Sequence, residues 1–495
     1  MRRRWIAYPL VVAVVAGVAA LAGVSAALAV WLSTSPPSTV HAGAATMPVG
    51  SRPDATASAA TVTVSWAAVS VGDHPVSGYR LTRYDAAGHP EPARNGCAGV
   101  VTSTGCVESG VPDGAWGYVV TPVQGTHWTG ADSPQGTVYV ATVGVTFPVS
   151  GQVYGIDSYA AGCGTKSAGD MCGTASGAKP VNVSVSVRQG SGRYWNPGDN
   201  TFSSDSEKLH PLGTGANWKL PFPVSTFPAS GLYTLRAVAT DSTGRVSSTS
   251  STFTVYPQAP PVPAIENGPA DPTNQTSARF TFSSAVSTVE CSLDNATFAS
   301  CGSPTTIAGP LAKGTHRFRV RAVDAGGNTS APATYTWTVD TTAPRATDVQ
   351  ASNRAGGTAG LIESGDSLTL SFSEPVAPGS VVPGWNGASP VNVSLSFDAG
   401  TQAVSVGGSA LGTVAFGRPG YVLHGTTVGG TVSMNGADLV ITIGTVADPG
   451  AFGTVTDPGT MTWIPGAVRD PAGNSLANAG TDVAERHPGG LDTEF

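Results

Sequence analysis

Two stretches of this chain, Arg236-Ala237-Val238 and Arg321-Ala322-Val323, each run into an Asp and a Gly-containing turn, about 85 residues apart. A strand-turn element that returns at such a period marks tandem domains of one type. The residues leading into both alternate, as in Gly231-Leu232-Tyr233-Thr234-Leu235 and Gly314-Thr315-His316-Arg317-Phe318. Successive strand residues point to opposite faces, so alternation sets one row on a core and the other in water. The same period of two runs through residues 61–66, 78–84, 116–123, 181–187, 278–282, 368–372 and 439–443. The 63 Gly and 38 Pro oppose long helices, and the frequent Ser, Thr and Val suit strands and turns. The expected fold class is therefore all-β, as tandem antiparallel β-sandwiches. A chain of 495 residues is too long for one core and implies three to five domains at ~100–150 residues each.

The boundaries read as a leader over 1–32, a Ser/Thr/Pro/Ala/Gly-rich spacer over 33–56, domains over 57–143, 144–257, 258–342 and 343–485, and a tail over 486–495. The order Ser65-Trp66, Gly78-Tyr79, then Val111-Pro112-Asp113-Gly114 leading into Tyr118 resembles a fibronectin type III domain. That resemblance implies Trp66 in the core of the second strand and Tyr118 packed in the sixth. Residues 337–344, Trp-Thr-Val-Asp-Thr-Thr-Ala-Pro, resemble the junctions of bacterial Ig-like repeats in surface proteins. Ser373-Glu374-Pro375-Val376 resembles a strand end of such Ig-like domains. The Ala/Gly/Val-rich, Arg-over-Lys usage resembles that of a high-GC, actinobacterial type of chain.

Arg2, Arg3 and Arg4 precede an uncharged apolar run from Ile6 to Leu32, long enough for a helix across a bilayer core of ~20 residues. The arginines should stay inside, so everything after Leu32 is expected outside. Ala27-Leu28-Ala29 offers a signal-peptidase site, while the run is longer than an ordinary signal core. A cleaved signal and a retained transmembrane anchor both fit, and the membrane is a partner only in the second case. Six cysteines fall as three close pairs, Cys97 with Cys106, Cys163 with Cys172, and Cys291 with Cys301. Eight or nine residues separate each pair and no His joins it, so local disulfides fit better than zinc. A formal charge of −7 with no basic stripe beyond the leader excludes a nucleic-acid binder.

Few residues carry candidate chemistry. Gly365-Asp366-Ser367-Leu368 matches a short signature of Ser esterases, but an alternating strand follows it and no Asp-x-x-His lies downstream. The Asp-x-x-Gly-Asn turns read as self-bonded Asx turns, with calcium as the competing reading. The eight His residues are scattered without metal spacing, so no metal or other cofactor is expected. Trp66, Tyr118 and Trp337 read as core. Tyr194, Trp195 and Trp385 sit in Gly/Pro/Asn-rich stretches, where exposed rings could stack on sugars. The chain is thus expected to be a non-enzymatic, extracellular or cell-surface spacer or adhesion protein with an unknown protein or polysaccharide partner. Four sandwiches of roughly 30–40 Å would give it reach. The alternative is a carbohydrate-binding accessory of polysaccharide degradation.

Overall fold

The computed structural model describes residues 45–58, 60–164, 169–177, 181–242, 244–457, 459–486 and 495. The leader and residues 33–44 of the spacer lie outside them. The described chain is 48% strand and 5% helix, arranged in antiparallel sheets around four separate cores. The first two cores belong to one compact unit, ending at Gln258, and the other two to a second, beginning at Ala259.

In the first module a sheet of Asp54–Ser58, Thr61–Ser65 and Gly105–Ser109 faces a sheet built on Gly78–Tyr84 and Gly114–Gln124. Val62, Val64, Tyr79, Leu81, Tyr118 and Val120 fill the space between, and Trp66 meets Tyr79 edge-on at 5.4 Å. The module begins earlier than residue 57. Asp54–Ser58 pairs with Thr61–Ser65, and the Gly50 N–H bonds the Ala131 carbonyl at 3.0 Å. The reason the sequence reads as spacer there is local: Asp-Ala-Thr-Ala-Ser carries only small apolar groups, enough for an edge strand but too weak to show as a pattern.

A buried ion pair ties these two sheets together. Arg83 Nη1 donates to Glu108 Oε1 at 2.9 Å, with both side chains almost fully buried. The Tyr118 hydroxyl donates to Glu108 Oε2 at 2.7 Å and the Arg94 N–H to Oε1 at 2.9 Å. Arg83 also bonds Glu91 at 2.5 Å and lies 4.3 Å over the Trp116 ring. Burial, followed by the bond to Glu108, drives the Tyr118 phenol far above its ordinary pKa.

The second module pairs Thr142–Phe147, Asp170–Ser176 and Asn217–Pro221 in one sheet. The other centres on Asn182–Gln189, Gly231–Thr240 and Val246–Val255. Its core is aromatic: Phe227 meets Tyr159, Phe222 and Tyr233 at 5.2, 5.1 and 4.6 Å. In the third module Phe280 stacks on Phe318 at 4.0 Å, with Trp337 at 5.3 Å from Phe280. The fourth module departs from two separate sheets. Its nine strands, from Ala346–Ser352 to Val483–Ala484, form one continuous sheet that curls around its core. The Arg486 N–H bonds Asp348 Oδ1 at 2.9 Å, and Gln350 Nε2 bonds the Arg486 carbonyl at 2.8 Å, joining the two ends of the sheet. The tail expected over 486–495 is corrected at its last residue: Phe495 is buried against Phe416 at 5.8 Å.

The cysteines pair as Cys97–Cys106, Cys163–Cys172 and Cys291–Cys301, one disulfide in each of the first three modules. Loops of this size contribute about 2.5–3 kcal/mol on the chain-entropy model. In the third module His316 is buried, with Nδ1 2.7 Å from Asp294 Oδ2 and Nε2 2.8 Å from the Ala312 carbonyl. Both partners are acceptors, so both ring nitrogens donate only as imidazolium. Burial pulls its pKa down, but the bonds to Ala312 and Asp294 outweigh it, and the net direction is up.

Two outcomes are expected. Glu108→Ala leaves the Arg83 guanidinium buried without its main partner and should cost the first module about 3–5 kcal/mol in denaturant unfolding. His316 with a raised folded pKa stabilises fully below the ordinary His value near 6.5, and that contribution is lost as pH rises through the folded value. The third module's unfolding midpoint should therefore fall as pH rises above the ordinary His value near 6.5. His316→Gln should flatten that dependence.

Candidate functional site

The aromatic candidates are placed differently from expectation. Trp195 is 5% exposed, sits 5.1 Å from Phe222 and donates its indole N–H to Asn200 Oδ1 at 3.0 Å. Trp385 is 8% exposed in the fourth core and donates to the Ser389 carbonyl at 2.7 Å. The loops around both fold back, because an indole buries a large apolar area once its single N–H finds an acceptor. Expected exposure is therefore corrected for both tryptophans. Tyr194 is half-buried, with the Arg188 guanidinium 5.1 Å from its ring. Tyr194 and Trp195 belong to the second module and Trp385 to the fourth.

The Gly-Asp-Ser-Leu string is a strand entry. Asp366 is fully buried and accepts from the Arg354 N–H at 2.9 Å and the Glu363 N–H at 2.6 Å. Ser367 opens the strand Ser367–Phe372, where it pairs with Ser352 and Thr442, so no helix presents its hydroxyl. The Asp-led turns are closed by their own side chains. Asp324 accepts from the Asn328 N–H at 2.9 Å and from Nδ2 at 2.8 Å. Asp470 accepts from the same two groups of Asn474 at 2.7 and 2.8 Å. Gly473 takes a φ of 96°, which only Gly adopts without strain, and its N–H closes on the Asp470 carbonyl at 3.1 Å.

The last of these turns is part of a larger arrangement within the second compact unit. Asn474 Nδ2 also donates to the Asp340 carbonyl at 2.8 Å, at the end of the third module. The Asn274 N–H bonds the Ala472 carbonyl at 2.9 Å, and the Ala477 N–H bonds the Pro344 carbonyl at 2.9 Å. This junction gathers three carboxylates: an oxygen from each of Asp340, Glu374 and Asp470 lies within 4.8 Å of the others. Asp470 is 3% exposed, the other two are half-buried, and Glu374 Oε1 is buried with no hydrogen-bond partner. Lys313 balances part of the charge, reaching Asp340 at 3.1 Å and also Thr342. The Thr342 N–H, then Lys313, hold the Asp340 carboxyl below its usual range. Burial, then the charges of Asp340 and Asp470, push Glu374 up. Three carboxylates supply an all-oxygen donor set of the hard-cation kind, short of the six to eight oxygens calcium takes. The sequence shows each member singly, Asp340 in a junction, Glu374 at a strand end and Asp470 in a turn. Nothing in their spacing announces that they meet.

Within the first compact unit a groove of ≈ 620 Å³ runs beside Tyr139, floored by Ala175, Gly177 and Val181. Its described walls are backbone and small side chains, and Asp113 is the one charged residue among the described residues lining it. It has no convergent set of polar groups of the kind that fixes a small ligand.

No family model matches the chain, and no curated protein matches its sequence. Solved structures do align. The FN1–FN3 domains of chicken CNTN1 cover 59% of this chain and 99% of their own, at 10% identity and a TM-score of 0.25. The fibronectin(III)-like modules of Clostridium thermocellum CbhA cover 40% and 94%, at 19% identity and a TM-score of 0.23. A tetra-tandem repeat from the extending region of a large adhesion protein covers 88% and 98%, at 15% identity and a TM-score of 0.23. The class rests on the sheet pairings: an all-β chain of tandem antiparallel modules.

The junction yields a test. A carboxyl whose folded pKa is raised stabilises below its ordinary value near 4.5, and that contribution is lost as pH rises. Glu374→Gln should therefore raise the thermal midpoint of the second unit at pH 7. The gain should shrink towards zero near about pH 4, as followed by calorimetry.

Proposed function

We propose that this chain is an exported, non-catalytic spacer and adhesion protein of the cell surface or extracellular space. The observation that carries this reading is the junction between the third and fourth modules. Side-chain and backbone bonds from the turn at 470–474 grip the connecting segment at Asp340, and Asn274 and Ala477 add two more backbone bonds. A catalytic pair of domains gains from relative motion, whereas a spacer gains from stiff joints. Three disulfides support an oxidising compartment, because such bonds persist outside the cytosol. Among the described residues no helix is long and apolar enough to cross a membrane, and the apolar run at 6–32 lies outside them. Binding on such modules uses loops and exposed sheet surfaces, since fold alone confers no activity.

The test is co-sedimentation of residues 46–495 with cell-wall material and insoluble polysaccharides, with sugar release assayed in the same tubes. Retention on wall material without release is expected. Released sugar would overturn the non-catalytic reading. Asn474→Ala should loosen the joint, seen as faster independent tumbling of the third and fourth modules in NMR relaxation.

A further inference from the structure

The strand Gly314–Val323 carries a row of cations on its solvent face. His316, Phe318, Val320 and Ala322 point inward, so Arg317, Arg319 and Arg321 point outward together. Alternate residues on a strand repeat at roughly 6.6–6.8 Å, which makes the three guanidinium stems evenly spaced rungs. One neighbouring strand presents exposed hydroxyls beside them, and the other a buried one. Ser292 is opposite Arg319 on one side, and Thr336 and Thr334 are opposite Arg317 and Arg319 on the other.

The charge on this face is not neutralised locally. Glu290 takes Arg321, at 2.8 Å from Nε and 2.7 Å from Nη2. Arg319 has only a neutral partner, Ser292 Oγ at 3.0 Å, and its buried Nε has none. Arg317 is exposed and has no carboxylate partner among the described residues. The nearest acid, Asp294, is turned to His316 and to the Arg317 backbone N–H. Phe298 holds the rungs in place, with Arg319 and Arg321 at 5.1 and 4.2 Å from its ring. Arg317 and Arg319, neither with a carboxylate partner among the described residues, form a local exception on a chain of net charge −7. A guanidinium presents a planar fork that matches carboxylate and sulfate oxygens.

We propose that this face binds an acidic polysaccharide, with Arg317 and Arg319 taking its carboxylate or sulfate groups and the exposed Thr334 and Thr336 hydroxyls bonding its sugar hydroxyls. The inference deepens the adhesion reading and rests on it for its setting. A protein partner fits less well, because interfaces need an apolar centre, and no exposed large apolar side chain among the described residues lies on this face. A single-stranded nucleic acid would need free rings for its bases, and the one ring here is covered by guanidinium groups.

The experiment is affinity electrophoresis of the full chain in gels containing polygalacturonate, dextran sulfate, neutral dextran or single-stranded DNA. Retardation by polygalacturonate, by dextran sulfate or by both is expected, and which one responds separates carboxylate from sulfate recognition. Neutral dextran should have no effect, and about 0.5 M salt should abolish the retardation. Arg317→Ala, which sits fully on the surface and should melt as the parent does, should weaken binding about ten-fold. Arg319→Gln should do the same, and Arg317→Lys should restore part of the loss. Absence of retardation by both acidic polymers overturns the inference, whatever the wall co-sedimentation shows. So does retardation that Arg317→Ala leaves unchanged, or equal retardation by DNA.

Discussion

An antiparallel strand satisfies its backbone through its neighbours and leaves its two faces to be settled by side chains. In this protein that settlement is made mostly by rings. Phe280 on Phe318, Phe227 among Tyr159, Phe222 and Tyr233, and Trp66 against Tyr79 each span the gap between two sheets. A ring fills that gap with few rotatable bonds, so each small module can hold its two layers at a fixed distance. Everything functional on the surface, including the arginine row above Phe318 and Val320, is positioned by the row of buried residues behind it.

Two of the carboxylates admitted to these interiors are well answered by donors. Glu108 is fully buried and bonded by Arg83, Arg94 and Tyr118, and it links sheets that apolar packing alone would leave free to slide. Asp366 plays a similar part at the entry to the fourth module, where its carboxylate gathers two backbone N–H groups. The junction of Asp340, Glu374 and Asp470 is the exception. There a buried carboxylate oxygen has no donor and two like charges for neighbours. The bonds from Asn474, Asn274 and Ala477 must hold the two modules together against that repulsion.

Much of this was legible in the sequence, where the core row stands out from the solvent row. Gly78–Tyr84 is a strand over the residues that alternate, and Ala278–Ser283 differs from its alternating run by a single residue. Val246–Val255 did not stand out, because Ser247 and Ser251 occupy inward positions and blur the contrast between rows. The short Ala/Thr/Ser strand at 54–58 was hidden for the same reason. Trp195 and Trp385 misled through their neighbours: Gly, Pro and Asn describe the path of a loop but not which way its ring turns. The acidic junction was beyond reach because its members are 34 and 96 positions apart along the chain, at 340, 374 and 470. The arginine row was missed because alternation spaces its three members two residues apart, so they do not form a contiguous basic run.

The placement of the third disulfide bears on what happens when a module is pulled. Cys291 and Cys301 lie diagonally across a hairpin in which Val289 faces Cys301 and Cys291 faces Ala299. Tension on the chain ends can open the rest of the module, and a domain of ~85 residues would then lengthen to roughly 290 Å of contour. The ten-residue separation within the bond withholds only about 34 Å of that. Those two strands stay covalently matched throughout, so a stretched chain still carries one correctly registered pair on which the other strands can close when the load is released.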